Sequence, residues 1–374
     1  MTKHLILLFF LMTSAGLLTA RTTKVHADRL WTDVEGKPMN AHGGNILFHD
    51  GVYYLYGEHR IENTPGVSQD GIYCYSSTDL VNWTSRGYVL RPTGEADFEM
   101  GCLMERPKVV YNKRTKKFVM LFHHELKGKG YAAARVGFAV SDTPDGQFRF
   151  VRSLRPNAKR WPKDFKAKEK ELALSWRGKD LSKLGHEQWK RAVEEGVYLA
   201  RDYDGGQMSR DMTVYVDDNG KAYHIFSSEE NATLHIARLT KDYLDYTGEY
   251  VRVAPGGSNE APCIFKKNGV YWLITSGCTG WAPNKARMFS ARNIFGPWKQ
   301  HETPFTGPGC ETTFSGQGAY ILDNRKRGGG LYFVGDIWQP KQLSRSRQLW
   351  LPIDFEDGKP SIPWRETWEL ELPD

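Results

Sequence analysis

SNEAPCIFKKNGVYWLI, Ser258 to Ile274, sets two apolar runs on either side of a Lys-Lys-Asn-Gly turn and places a lone carboxylate, Glu260, at the head of the first. Asn-Gly between alternating aliphatic and aromatic residues marks a tight β-hairpin. Pro262 suits the first position of a strand, where no ladder donor is needed. The second run, GVYWLITS, has four counterparts: GVYYLYGE, KKFVMLFH, GKAYHIFSS and GGLYFVGD. Aligned on Tyr53, Phe118, Tyr223, Tyr271 and Tyr332, they are evenly spaced except for one long interval between the second and the third.

A further run follows each of them: GIYCYSSTDLVNW, VGFAVSDTPDGQF, TLHIARLTKDYLDY, ARMFSARNIFGPW and, less regularly, RQLWLPIDFEDGKP. Each unit thus supplies about four strands, and fixed-period units of this size read as propeller blades. The expected fold is all-β, a five-bladed β-propeller with a helical insert between blades two and three. The insert, 152–206, is basic and partly helical, with KDLSKLGHEQWKRAVEEG as its most helix-like part and Trp161, Trp176 and Trp189 available to dock it. It reads as a lid or as a charged packing insert. The closing SIPWRETWELEL is expected to complete the last blade together with the segment near Leu30 and Trp31.

The chain has 374 residues, 40% of them hydrophobic, enough to bury a large core as a single catalytic domain over 28–374. Residues 2–20 combine a basic start, a short apolar run and small residues, so 1–27 is expected to be a signal peptide ending at Val25-His26-Ala27. Export to the periplasm or the medium follows. No later stretch is long and apolar enough for a membrane span. The formal charge of +7 does not point to nucleic acid, because the leader and the insert carry the excess and the rest is close to neutral. The five cysteines form no CxxC pair; Cys263 and Cys278 flank a hairpin and are the pair that export would allow to bridge.

Counting back from each aligned aromatic reaches the start of the preceding, innermost strand. The residues there are His42, Glu105, Asp211, Glu260 and Gln317, all polar. Innermost strands of a propeller run the same way around the central channel, so these five converge on one mouth. Ordered water and turns account for one or two polar positions; three carboxylates in one concave site raise one another's pKa. Carboxylates between aromatic walls suit glycosidic bond hydrolysis, in which one acid protonates the leaving oxygen and another group directs water. Trp272, Trp281, Trp338 and Tyr131 are available for stacking, Trp281 most clearly because SGCTGWAPN is a polar loop after a strand.

In the segments NAHGGNILFHDGVYYLYGE, ERPKVVYN, VGFAVSDTPDG, RDMTVYVDDNGKAYHIFSSE, NEAPCIFKKNGVYWLITSGCTGWAPN and QLWLPIDFEDGKPSIPW, the chain resembles glycoside hydrolase family 43, most closely its exo-β-1,3-galactanase branch. The resemblance covers roughly 40 to 368 outside the insert. It implies Glu260 as general acid, Asp211 as the carboxylate that tunes and orients it, Glu105 in substrate recognition, Glu58 on the subsite floor and Gln317 on the side of the attacking water. The wider family inverts configuration with an Asp base on the first innermost strand, and NAHGGNIL holds no Asp. Gln317 is therefore expected to position the water, with Glu105 as the rival base, because an amide is a poor base. Tyr131, Thr279 and Trp281 are expected substrate contacts, while His42 stands open between substrate donor and structural histidine.

The implied activity is inverting exo-β-1,3-galactosidase action on a β-1,3-galactan or arabinogalactan backbone by a monomer. The alternatives are α-L-arabinofuranosidase or β-xylosidase activity, or a non-catalytic glycan-binding propeller. The expected partner is an oligosaccharide or polysaccharide. No cofactor is expected to be required, and the family resemblance leaves room for a calcium ion in the central channel.

Overall fold

Tight turns account for much of the strand pattern. Asp50-Gly51 and Asn268-Gly269 each place two successive residues at positive φ (47° and 82°, 50° and 75°), the geometry whose twist matches that of paired strands. The computed structural model describes residues 22–64, 67–95 and 97–371.

In chain order, β1 (Thr22–His26) and β2 (Asp28–Arg29) precede a first sheet of β3 (His42–His49), β4 (Val52–Arg60), β5 (Gln69–Ser77) and β6 (Thr84–Leu90). The second sheet is β7 (Leu103–Asn112), β8 (Lys117–Glu125), β9 (Arg135–Ser141) and β10 (Arg149–Leu154). Helices α1 (Ala167–Leu174), α2 (His186–Glu194) and α3 (Val197–Arg201) come next. A third sheet follows, β11 (Met212–Val216), β12 (Ala222–Ser228), β13 (Thr233–Leu239) and β14 (Tyr246–Val253). The fourth is β15 (Asn259–Lys267), β16 (Val270–Gly277), β17 (Arg287–Ala291) and β18 (Lys299–His301). After β19 (Phe305–Thr306) come β20 (Gln317–Asp323), β21 (Leu331–Ile337) and β22 (Arg347–Pro352). The chain closes with β23 (Asp354–Glu356), β24 (Lys359–Pro363) and β25 (Thr367–Glu371).

The fold is an all-β propeller. Strands β3, β7, β11, β15 and β20 neighbour one another in a closed ring. The expectation of five blades and nothing more is too simple, because beside the five four-stranded sheets stand a three-stranded sheet, β19-β24-β23, and a two-stranded ribbon, β1-β25. The last four-stranded sheet is closed by β2, which pairs with β22. The C-terminal WELE strand therefore does not complete that blade as expected; it pairs with β1 in the separate ribbon. Its Trp368 is buried, donates from the indole to the Trp350 carbonyl at 2.9 Å and stacks on Tyr332.

The expected leader lies outside the described residues as far as residue 21, whereas Thr22–His26 forms β1 with Val25 buried. The residues just ahead of the expected exit at Ala27 thus belong to a sheet. Of the segment 152–206, Arg152, Ser153 and Leu154 end β10, and the helices begin later. Trp176 and Trp189 pack with Leu181, Leu184, Ala192, Val193, Val197 and Tyr198 into a small separate core that also takes in Ala232 of the β12–β13 turn. Trp161 packs instead on the core between the second and third sheets. All five cysteines are free thiols, so the Cys263–Cys278 bridge is absent; Cys263 is buried and Cys278 lies on an exposed loop. No helix of the described residues is long and apolar enough to cross a membrane.

Four of the five innermost strands open on a β-bulge. The register slips between His42 and Asn45, Glu105 and Lys108, Glu260 and Cys263, and Gly318 and Tyr320. Gly43, Arg106 and Ala261 adopt left-handed φ of 62°, 50° and 50°. Such bulges bend a strand and re-aim its side chains. Here they turn the residues at the strand heads toward a common space.

Candidate active site

That space is a pocket of about 350 Å³ lined by Glu58, Glu105, Asp211, Glu260, Tyr131, Trp281 and Gln317 from the sequence reading, together with residues it did not single out. A larger hollow of about 770 Å³ lies on the flank of the second and third sheets. Two of its arginines are spent locally, Arg135 on Asp97 and Arg155 on the carbonyls of Ala132 and Ala133, and the strand-head carboxylates all lie in the smaller pocket.

Glu260 stands beside Ser276 at the head of β15 and accepts a hydrogen bond from Asn231 Nδ2 at 2.8 Å. Burial, and then the negative charge of Asp211, push its carboxyl up to about 7, against the opposing pull of Arg106. Asp211 precedes β11. Its Oδ2 meets Arg106 Nε at 2.8 Å and accepts the Ala261 N–H at 3.1 Å, which ties it to the backbone next to the acid.

Arg106, on the second innermost strand, joins four sheets. Its Nη1 donates to the Gly318 carbonyl at 2.8 Å, its Nη2 to Gln317 Oε1 at 2.6 Å, and its backbone N–H to Glu58 Oε1 at 2.8 Å. A planar fork of fixed donors can hold several acceptors in one plane. Gln317 Oε1 also accepts from the Trp338 indole at 2.9 Å, while its Nε2 donates to Ser276 Oγ at 3.0 Å. Because guanidinium and indole only donate, they fix which end of the amide is oxygen.

Glu105 accepts from the Tyr131 hydroxyl at 2.9 Å and pairs with His123 Nδ1 at 3.2 Å and Arg60 at 3.5 Å. Burial would raise its pKa, but His123, then Arg60 and Tyr131, hold it down at about 2. Burial likewise opposes charge on His123, yet Glu105 and Glu125 raise that imidazole to about 9. Glu58 is buried on the floor in an ion pair with Arg60; burial raises its pKa and Arg60 works against the rise. Trp281 meets Trp338 edge to face at 5.4 Å, and Trp281 and Tyr131 are each 40% exposed at the rim.

Two expected contacts lie elsewhere. His42 is fully buried, with Nδ1 on Asp336 at 3.1 Å, and does not line the pocket. The adjoining Gly43 N–H donates to the same Asp336 carboxylate at 2.9 Å, so this histidine serves the bulge. The Thr279 hydroxyl donates to the Ala282 carbonyl at 2.6 Å and accepts from Asn284 at 2.7 Å, bracing the loop that carries Trp281. Trp272 is core. The polar lining residues not foreseen are Arg60, Arg106, His123, Arg210 and Asn231. Arg106 had a visible cue, as a cation set between Glu105 and Pro107 at the head of a strand.

The space between the first two innermost strands does not suit calcium. The Lys108 ammonium sits there, fully buried, donating to the carbonyls of Gly43 at 2.6 Å and Arg106 at 3.2 Å. Burial, then Arg106, lowers this lysine to about 7. The carbonyls of Gly43 and Arg106 are thus already taken by the lysine nitrogen. Among the described residues, no group of three or more His, Cys, Asp or Glu could hold a metal ion.

A carboxyl raised to about 7, in a pocket with aromatic sides that also holds one lowered to about 2, is the equipment for cleaving a glycosidic bond. The protein is a glycoside hydrolase, similar to galactan 1,3-β-galactosidases. A family model described as Glycosyl hydrolases family 43 matches residues 188–351. The solved structure of the GH43 β-1,3-galactosidase BT3683 with galactodeoxynojirimycin is 50% identical, covers 92% of this chain and 99% of its own, and superposes with a TM-score of 0.88. The chain belongs to glycoside hydrolase family 43. An exo-β-1,3-galactanase from Clostridium thermocellum is 31% identical over 94% of this chain and 67% of its own, TM-score 0.73. One from Phanerochaete chrysosporium, with β-1,3-galactotriose, is 29% identical over 93% and 68%, TM-score 0.73. Among curated proteins, a β-D-galactofuranosidase of Aspergillus niger is 26% identical over 133 residues; the match spans 32% of this chain and 38% of that relative.

Proposed function

We propose that this protein is an exported, inverting, exo-acting β-1,3-galactosidase that removes galactose from the non-reducing end of β-1,3-galactan. The observation that carries the reading is Glu260, its carboxyl pushed up to about 7 and held between Asn231 and the Asp211–Arg106 pair. Sugar identity rests on the β-1,3-galactosidase that is 50% identical over nearly its whole length. We take the three-stranded sheet as an appendage to a five-bladed ring, because none of its strands joins the ring of innermost strands. Export rests on the apolar N-terminal stretch, with processing ahead of Thr22 so that β1 stays in the mature protein.

In this reading Glu260 donates its proton to the departing glycosidic oxygen. Gln317 stands across the sugar and positions the attacking water. Its oxygen already accepts two donors, so an imidic form with a proton on that oxygen would face both of them. Glu105 is ionised but a poor proton acceptor, because Tyr131, Arg60 and His123 claim its lone pairs. An oxocarbenium-like transition state asks little of the base, and the proton the water sheds on bonding to the anomeric carbon passes to solvent in the open pocket while Glu260 regains one. Glu58, Arg60 and Glu105 would grip sugar hydroxyls, and Trp281 and Trp338 would cover a sugar face.

The test is galactose release from β-1,3-galactan by the wild type and by Glu260→Gln. The reading expects release of monosaccharide only, reduced in the variant by a factor of roughly 10² to 10⁴, the usual worth of a positioned proton donor. Wild-type protein that releases arabinose or xylose from furanosides or xylosides instead, or no sugar at all, contradicts it.

A further inference from the structure

Asn231, the donor to Glu260, sits at the end of an unusual turn. Glu229, Glu230 and Asn231 have successive φ of 55°, 59° and 63°, all left-handed and none of them glycine. A run of this kind persists only where its surroundings hold it. The holding groups come from the helical segment and from β14. Arg252, on β14, donates from Nε to Glu229 Oε1 and from Nη2 to Oε2, each at 2.7 Å. The same guanidinium donates to the last carbonyls of α2, Val193 at 2.5 Å and Glu194 at 2.9 Å. His235, opposite Arg252 in the β13–β14 ladder, meets Glu229 Oε1 at 2.8 Å. Glu229 and His235 are fully buried, and the Arg252 side chain is 4% exposed.

Glu230 is held as well. Arg201, at the end of α3, meets its Oε1 at 2.9 Å, and Arg210, which lines the pocket, meets its Oε2 at 3.1 Å. Ala232 then enters the core of the helical segment. The turn that carries Asn231 is therefore clamped at each of its other residues, at Glu229 by Arg252, which also grips the end of α2, and at Glu230 by Arg201 of α3, with His235 and Arg210 beside them.

We infer that Arg252 is a positioning residue for the hydrolytic reaction: by locking Glu229 to the C-terminus of α2 it fixes the 229–231 turn, and through Asn231 it holds the general acid in line with the leaving oxygen. The segment between the second and third sheets is then a buttress of the acid. This rests on the proposed role of Glu260.

The test separates acid placement from mere folding. Arg252→Met is assayed on β-1,3-galactobiose, whose leaving sugar needs the proton, and on dinitrophenyl β-galactoside, whose leaving group does not. The expected result is a loss of kcat of about tenfold to a hundredfold on the disaccharide, with the activated substrate within about threefold of wild type. Arg252→Lys, which keeps the charge at Glu229, recovers part of the loss. Asn231→Leu shows the same split, and the double variant is no worse than the poorer single one. Arg201→Met, at an exposed site, gives a smaller loss of the same kind and decides the matter if Arg252→Met does not fold. A substrate-free readout is the Glu260 carboxyl titration by ¹³C NMR, with Glu260→Gln for assignment. Asp211, Arg106, Arg210, Asn231 and Cys278 face that carboxyl, and removing the Asn231 donor moves its titration to higher pH. Equal losses on the two substrates, or no loss and an unmoved titration, overturn the inference. Failure of wild-type protein to cleave either galactoside, with the titration shift intact, removes the proposed substrate and leaves the clamp standing.

Discussion

Glu260 would be protonated in only about one molecule in three hundred at pH 7 if it kept its ordinary value of 4.5. Burial and the Asp211 charge bring it to about 7, so near half of the molecules carry the proton. Because the acid form is the active one, kcat/KM falls as pH rises through about 7, and a pH–rate profile on β-1,3-galactobiose checks this. Asp211→Asn removes the charge that supports the proton and frees Arg106, a cation, beside it. Its alkaline limb therefore moves to lower pH, and activity at pH 7 falls about fivefold for the first unit moved and about tenfold for each unit beyond it. A limb that stays in place or moves up contradicts the assignment of Asp211. At this scale the sequence was informative about Glu260, Asp211, Glu105, Glu58 and Gln317, since each heads an innermost strand or lies on the next one. It left His42 open, because position at a strand head does not say on which side of the bulge the side chain falls.

The bulges at the heads of the innermost strands are the elements that make a site from a ring of strands. Gly43 shows how tightly one is built: a Cβ there would stand 2.5 Å from Glu58 Oε1, on a backbone of φ 62°. Gly43→Ala is expected to cost about 1–3 kcal/mol in stability and to lower kcat/KM by disturbing Glu58 and the Arg106 N–H it accepts. Denaturant titration and kinetics read the two effects separately. Strands and hairpins were legible because alternation and Asn-Gly or Asp-Gly turns are local signals. The bulges were not, since an extra residue at a strand head leaves no local signal in the alternation, and neither were Arg60, Arg106 and Asn231, whose roles come from partners in other sheets. In the segment between the second and third sheets, the helix-like run and its tryptophans were visible, but its hold on Glu229 through Arg252 joins residues 58 and 59 positions apart.

At the scale of the molecule, the repeat of strand units announced a propeller. Which strand closes it was harder to read, because β2 is only two residues long and lies far from β22 in sequence. The terminal ribbon β1-β25 covers the same sheet from outside, with Trp368 stacked on Tyr332. Trp368→Ala is expected to lose about 3–5 kcal/mol and to lower the apparent melting temperature, with kcat of the folded protein unchanged because the ribbon does not touch the pocket; a drop in kcat at temperatures where the variant is folded would show otherwise. The whole account, a single-displacement attack by water held at Gln317 while Glu260 protonates the leaving oxygen, is tested most directly by ¹H NMR of the first sugar formed from β-1,3-galactobiose. It predicts α-galactose as the initial product, turning to the β form only by mutarotation. β-Galactose appearing first would contradict it.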